Sequence, residues 1–266
     1  MQTLTAAKHE IIERNIRLMD ASFPEETWTL EQKVALTCRV LFSHGHDSGL
    51  AGQITARTAE PDRYITQRMG LGFDEITCNN LLVVDGDLNV ISGTGMVNPA
   101  NRFHSWIYRL RPDVHCIVHT HPIHVSALCL LERPLRIAHM DSCMLYDEVA
   151  FLKQWPGLPV GNEEGELIAA TLGRRRAAML AHHGLVVAAS TVEEACVMAV
   201  QIERTARMQL LAEAAGVVQD VDPKLAKEAR DWILQPSRSR ATFGYLARRV
   251  LRELETHPVR TSGESI

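Results

Sequence analysis

Four of the chain's 12 histidines fall within Val114 to His124, Val-His-Cys-Ile-Val-His-Thr-His-Pro-Ile-His, among strongly apolar residues. In an extended strand, side chains two apart share a face, so His119 and His121 point the same way with one residue between them. Neutral imidazole is a common ligand for divalent transition metals, and a strand that fixes two ligands leaves the third and fourth to be found elsewhere. Ala181-His182-His183-Gly184 ends a second apolar run and can bring a third imidazole. The competing reading makes each histidine an inert, hydrogen-bonded end of a buried strand. It suits a lone histidine better than it suits two such strand ends together. A nitrogen set completed by oxygen fits zinc, manganese or iron.

The elements around these strands are legible from spacing and caps. A helix is expected from about Thr5 to Leu18, with Pro24 in the break that follows. Thr29-Leu30-Glu31-Gln32 has the form of a capping box and opens a second helix. A glycine-bearing loop, His44 to Thr55, then runs into a strand, the arrangement that lets backbone approach a ligand closely. Residues 63–66 read as a short strand, and Leu81–Val84 joins Leu88–Ile91 through Asp85-Gly86 as a hairpin. Asn98-Pro99 caps a helix that Pro112 stops, delivering the chain into the histidine strand, and Pro122 can start the next helix. Asn162 and Gly173 bracket a short helix as cap and stop. Ser190-Thr191-Val192-Glu193 reads as a capping box for the longest helical pattern, which runs to Ala215 and closes at Gly216. Two further helical segments follow Asp222-Pro223 and Gln235-Pro236, and residues 261–266 are expected to fray. Helices flanking a mainly antiparallel sheet in one domain is the expected architecture.

Composition narrows the function classes. With 266 residues, 46% hydrophobic, the chain can bury one large core, and nothing marks a linker. A net charge of −4 with scattered arginines gives no reason to expect a nucleic-acid partner. No apolar stretch approaches the roughly 20 residues of a membrane span, and the charged N-terminus is no signal sequence. A soluble cytoplasmic protein is expected. The six cysteines form no C-x-x-C pair, which fits reduced packing residues.

Three motifs in order resemble the class II aldolase and adducin-head superfamily across roughly residues 30 to 215. Gly52-Gln53-Ile54-Thr55 resembles its Gly-Asn-x-Ser substrate loop. Arg111-Pro-Asp-Val-His-Cys-Ile-Val-His-Thr-His resembles its R-P-D…H-x-H strand, and Ala181-His-His-Gly-Leu its H-H-G-L strand. The resemblance implies an α/β/α three-layer fold with a central, mainly antiparallel sheet. The chain would form a single domain over 1–266, with an N-terminal helix at about 5–20 and a helical extension at about 222–256. It also implies a divalent metal held by His119, His121 and His183, and usually a homotetramer with active sites between subunits.

The departures narrow the chemistry. Sugar-phosphate members carry a glutamate, both metal ligand and acid–base group, four residues before the histidine that corresponds to His104; here Ala100 stands there. His104 is the candidate that can replace it on the metal. Their Thr-Pro-x-Gly phosphate cradle is replaced by Gln67-Arg68-Met69-Gly70. Arg68 can instead pair bidentately with a carboxylate, so a small-molecule carboxylate is the expected partner, bound with Gly52, Gln53 and Thr55. Proton-transfer candidates lie in the segment 138–146: His139, which is nearest the position of the family's catalytic tyrosine, Asp141 and Tyr146. Decarboxylation of an aromatic or ring-cleavage-derived hydroxy- or oxo-carboxylate is the leading expectation, because it needs only an acid to reprotonate carbon. The alternatives are an aldolase acting on a non-phosphorylated substrate and a non-catalytic, adducin-head-like binding module.

Overall fold

The computed structural model describes residues 6–23 and 26–256; Thr5, Pro24 and residues 261–266 lie outside the described residues. The first helix is α1 (Lys8–Ser22), and α2 (Leu30–Ser43) opens on the expected capping box. The Gln32 N–H donates to Thr29 Oγ1 at 3.3 Å, and the Thr29 N–H donates to Gln32 Oε1 at 2.9 Å. Then come β1 (Gln53–Arg57), β2 (Tyr64–Gln67), β3 (Leu81–Val84), β4 (Val90–Ser92), α3 (Arg102–Leu110), β5 (Cys116–Thr120) and α4 (Ile123–Leu130). The chain continues with β6 (Val149–Leu152), α5 (Asn162–Leu172), β7 (Ala177–Leu180), β8 (Gly184–Ala189), α6 (Val192–Ala215), α7 (Pro223–Ile233) and α8 (Pro236–Thr256).

The strands form one sheet in the order β4-β3-β2-β1-β5-β8-β7-β6, antiparallel at every pairing except β6 with β7. Helices cover both faces, which makes the expected three-layer α/β/α fold. Strand alternation sorts the core accordingly. Ile54, Val118, Leu185 and Val187 pack with residues of α2, α4, α6 and α8, whereas Ile117, Val186 and Ala188 pack with Phe103 and Ile107 of α3 and Ile168 and Leu172 of α5.

Two caps differ from their sequence reading. Helix α6 is capped by Thr191, whose Oγ1 accepts from the Glu194 N–H at 3.1 Å, and Glu194 reaches back to the Ser190 N–H. No reciprocal box forms, and Glu193, the residue expected to complete it, pairs with Lys33 at 2.7 Å. Asn162 is the first residue of α5 rather than its cap, and its Oδ1 accepts from Arg102 and Trp106 of α3. All six cysteines are free, five of them buried. No helix among the described residues is long and apolar enough to cross a membrane.

Candidate metal centre

Strand β5 lies between β1 and β8, with His119 directly opposite Gln53 on one side and Val186 on the other. Its C-terminal end therefore meets the start of β8 and the tight β7–β8 turn, where the Leu180 carbonyl accepts from the His183 N–H at 3.0 Å. His182 takes φ +56° in that turn, turning the chain so that His183 faces the end of β5. The rings of His119, His121 and His183 form a nearly equilateral triangle, with centroids 4.8, 4.7 and 4.8 Å apart. One nitrogen from each lies within 4.8 Å of the others. Two glycines make the approach possible. A Cβ on Gly184 would stand 2.6 Å from both His121 Cδ2 and the Thr120 carbonyl oxygen. Gly52, at φ +111°, would bring one to 3.2 Å from the His119 carbonyl oxygen.

Electrostatics and hydrogen bonding fit this donor set to a cation. Burial, followed by the neighbouring histidines His183, His121 and His104, holds His119 well below the usual imidazole range. Burial and then His121 push His183 down to about 4, and burial lowers His121. All three rings are neutral at pH 7, the form that offers a lone pair. His119 Nδ1 lies 2.8 Å from the Leu185 carbonyl and can only donate to it, so the neutral ring leaves Nε2 bare. Nδ1 of His183 is buried without a hydrogen-bond partner. Three neutral nitrogens, one locked in the ligating tautomer, are a fit for a divalent transition metal.

The other residues singled out by sequence divide into near and far. Gln53 sits beside the cluster, with its Oε1 buried and unpaired. Arg68 is half-buried, one residue beyond β2, and pairs with no other described residue. It falls on the face of Thr66, the cross-strand partner of Thr55, and so on the side of the sheet that carries Gln53 and His119. Thr55 lies deeper, 2% exposed, with Oγ1 held by His104 Nδ1 at 2.8 Å and by the Tyr108 hydroxyl at 2.9 Å. Thr55 belongs to that buried network, and so does His104. His104 is not one of the three clustered rings; its Nδ1 meets Thr55, its Nε2 is buried without a hydrogen-bond partner, and burial pushes it down to about 3.

His139, Asp141 and Tyr146 do not join the three imidazoles within one chain. The side chains of His139 and Asp141 are about half exposed. His139 lines a cavity of about 540 Å³ against the C-terminal half of α6, and Tyr146 a neighbouring one of about 490 Å³. His139 Nδ1 accepts the Asp141 N–H at 3.1 Å, so its neutral ring carries the proton on Nε2. Sequence reading missed two supports of the centre. Buried His46 places Nδ1 2.8 Å from Thr120 Oγ1, next to His119, and Glu203 of α6 grips the start of α4 just beyond His121. Separations of 74 to 79 residues leave no periodic signal.

Comparison with known proteins bears on the family and the fold. The sequence model of the Class II Aldolase and Adducin N-terminal domain matches residues 32–210. The chain is 30% identical over 210 residues to "Decarboxylase NovR" of Streptomyces niveus, covering 77% of this chain and 78% of that one. It is also 30% identical to the "4-hydroxy-3-prenylphenylpyruvate oxygenase/4-hydroxy-3-prenylbenzoate synthase" of Streptomyces roseochromogenus, with coverages of 77% and 76%. Among solved structures, the L-fuculose 1-phosphate aldolase of Glaciozyma antarctica superposes with a TM-score of 0.80 at 26% identity, over 90% of this chain and 98% of that one.

Proposed function

Because the chain belongs to the class II aldolase and adducin N-terminal domain family, we propose that it is a metal-dependent carbon–carbon lyase, a decarboxylase of an aromatic or ring-cleavage-derived hydroxy- or oxo-carboxylate. The observation that carries this reading is the trio of neutral imidazoles, one buried and two half-buried, with Ala100 where a ligating glutamate would serve as base. A divalent cation held by His119, His121 and His183, zinc, manganese or iron, supplies a Lewis acid for a carbonyl or enol oxygen beside the breaking bond. Decarboxylation then asks the protein for an anchor and an acid, while retro-aldol cleavage asks for a base on a hydroxyl proton. Arg68 offers an unpaired guanidinium on the face of the sheet that carries Gln53 and His119, suited to bidentate contact with a substrate carboxylate. Gln53 and the backbone at Gly52 line the approach. His139, as an imidazolium, is the proposed donor to carbon; since it stands apart from its own chain's trio, it would serve the trio of a neighbouring subunit in a homotetramer.

Names of the relatives support a lyase on either side of that choice, two with decarboxylation or benzoate formation and one with aldol cleavage. The discriminating experiment measures carbon dioxide release from a panel of oxo- and hydroxy-carboxylates, with and without dioxygen, since one relative is named an oxygenase. Turnover to two organic fragments without carbon dioxide replaces the decarboxylase by the aldolase. A protein that binds metal but turns over nothing favours the adducin-head-like module.

A further inference from the structure

The three imidazoles are not held alike. His119 is laddered on both sides and bonded through Nδ1, and His183 is set by a tight hairpin turn. His121 follows Thr120, the last residue of β5 paired with β8. Its position depends on the chain that comes after it, the first turn of α4. That helix begins on Pro122, which offers no side-chain cap, so its leading N–H groups need an acceptor from elsewhere.

Glu203 supplies it from α6. Its Oε1 accepts the His124 N–H at 3.1 Å, its Oε2 accepts the Val125 N–H at 3.0 Å, and Oε1 also lies 2.5 Å from His124 Nδ1. The carboxylate is 6% exposed, so it is held in place with little competition from water. Between this clamp and His121 stand only Ile123 and Pro122, and proline fixes its own φ while restricting the residue before it. The link is short and stiff. We propose that Glu203 is a positioning residue for the metal centre, a cap in trans that sets where α4 begins and thereby aims the His121 imidazole at His119 and His183. This rests on the metal-centre reading above.

The test is a cobalt(II) titration of the metal-free, full-length protein, read by the visible absorption of the bound ion. Glu203→Ala is expected to weaken cobalt binding by about 10- to 100-fold, as loss of an outer support of a metal ligand does, and to alter the shape of the absorption band. Glu203→Gln, which keeps an acceptor oxygen for one N–H, is expected to fall between Glu203→Ala and wild type. Glu213→Ala, on the same helix but paired with Arg133 at the surface, is expected to match wild type. A folded Glu203→Ala protein with the wild-type dissociation constant and spectrum overturns the proposal. Where Glu203→Ala does not fold, Glu203→Gln decides by the same two readouts. Wild type that takes up no cobalt overturns the metal-centre reading itself, an outcome distinct from wild-type binding left unaffected by the loss of Glu203.

Discussion

The Nε2 atoms of His119 and His121 stand 3.0 Å apart. With His119 Nδ1 donating to Leu185, its Nε2 is a bare lone pair, so the contact persists only if His121 donates a proton there or both lone pairs face a cation. Wild type is expected to bind about one divalent metal per chain, and His119→Ala to lose most of it. Elemental analysis of both decides the matter. Equal, stoichiometric metal in the two proteins removes the assignment.

Gly184 makes room for that pair. A methyl group there would stand 2.6 Å from the Thr120 carbonyl, which is backbone and cannot swing aside, as well as 2.6 Å from His121 Cδ2. Gly184→Ala is expected to cost about 1–3 kcal/mol of stability, the range for overpacking, and to lower metal content by displacing His121. Urea denaturation and elemental analysis of the variant check this. An unchanged midpoint with full metal loading contradicts the geometry.

What the sequence displays well is what repeats at short range. The His-x-His spacing, the Thr29–Gln32 box and the Asn98-Pro99 cap each depend on neighbours a few residues away. They lead to the right elements and to three imidazoles that do converge. Less legible are the choices settled across the fold. His104 meets Thr55 through Nδ1 and keeps Nε2 buried without a hydrogen-bond partner, and no rule of spacing says which partners it takes. Glu203 reads as one more charge on a long helix until α4 is laid against it.

Acid should weaken the fold through His46 and His104. Burial, and for His46 next the nearby His44, pushes both rings down to about 3 from 6.5, so the folded protein keeps them neutral while the unfolded chain protonates them. Stability is therefore complete above about pH 6.5 and lost as pH falls toward 3, by about 1.4 kcal/mol per pH unit for each ring. Urea denaturation at pH 7 and pH 5, with chelator present, is expected to show His46→Asn losing about 2 kcal/mol less than wild type between the two. An identical loss would mean that His46 takes up its proton without unfolding.

Assembly is expected to be tetrameric, because the exposed His139 and the imidazole trio lie apart in one chain and a neighbour must bring them together if both act. Light scattering at micromolar concentration tests it. A monomer would confine the reaction to residues of a single chain and exclude His139 from it.

The reaction gives the last test. Loss of carbon dioxide leaves a carbanion-like carbon that must be protonated, and His139 as an imidazolium can supply the proton and return to its neutral ring, while His183 acts earlier by holding the metal. His183→Ala is expected to abolish turnover together with metal. His139→Ala is expected to keep the metal and slow turnover by roughly 10²–10⁴, the range for losing a general acid. The two variants thus separate binding of the ion from delivery of the proton. His139→Ala at the wild-type rate moves the acid to Tyr146 or to water.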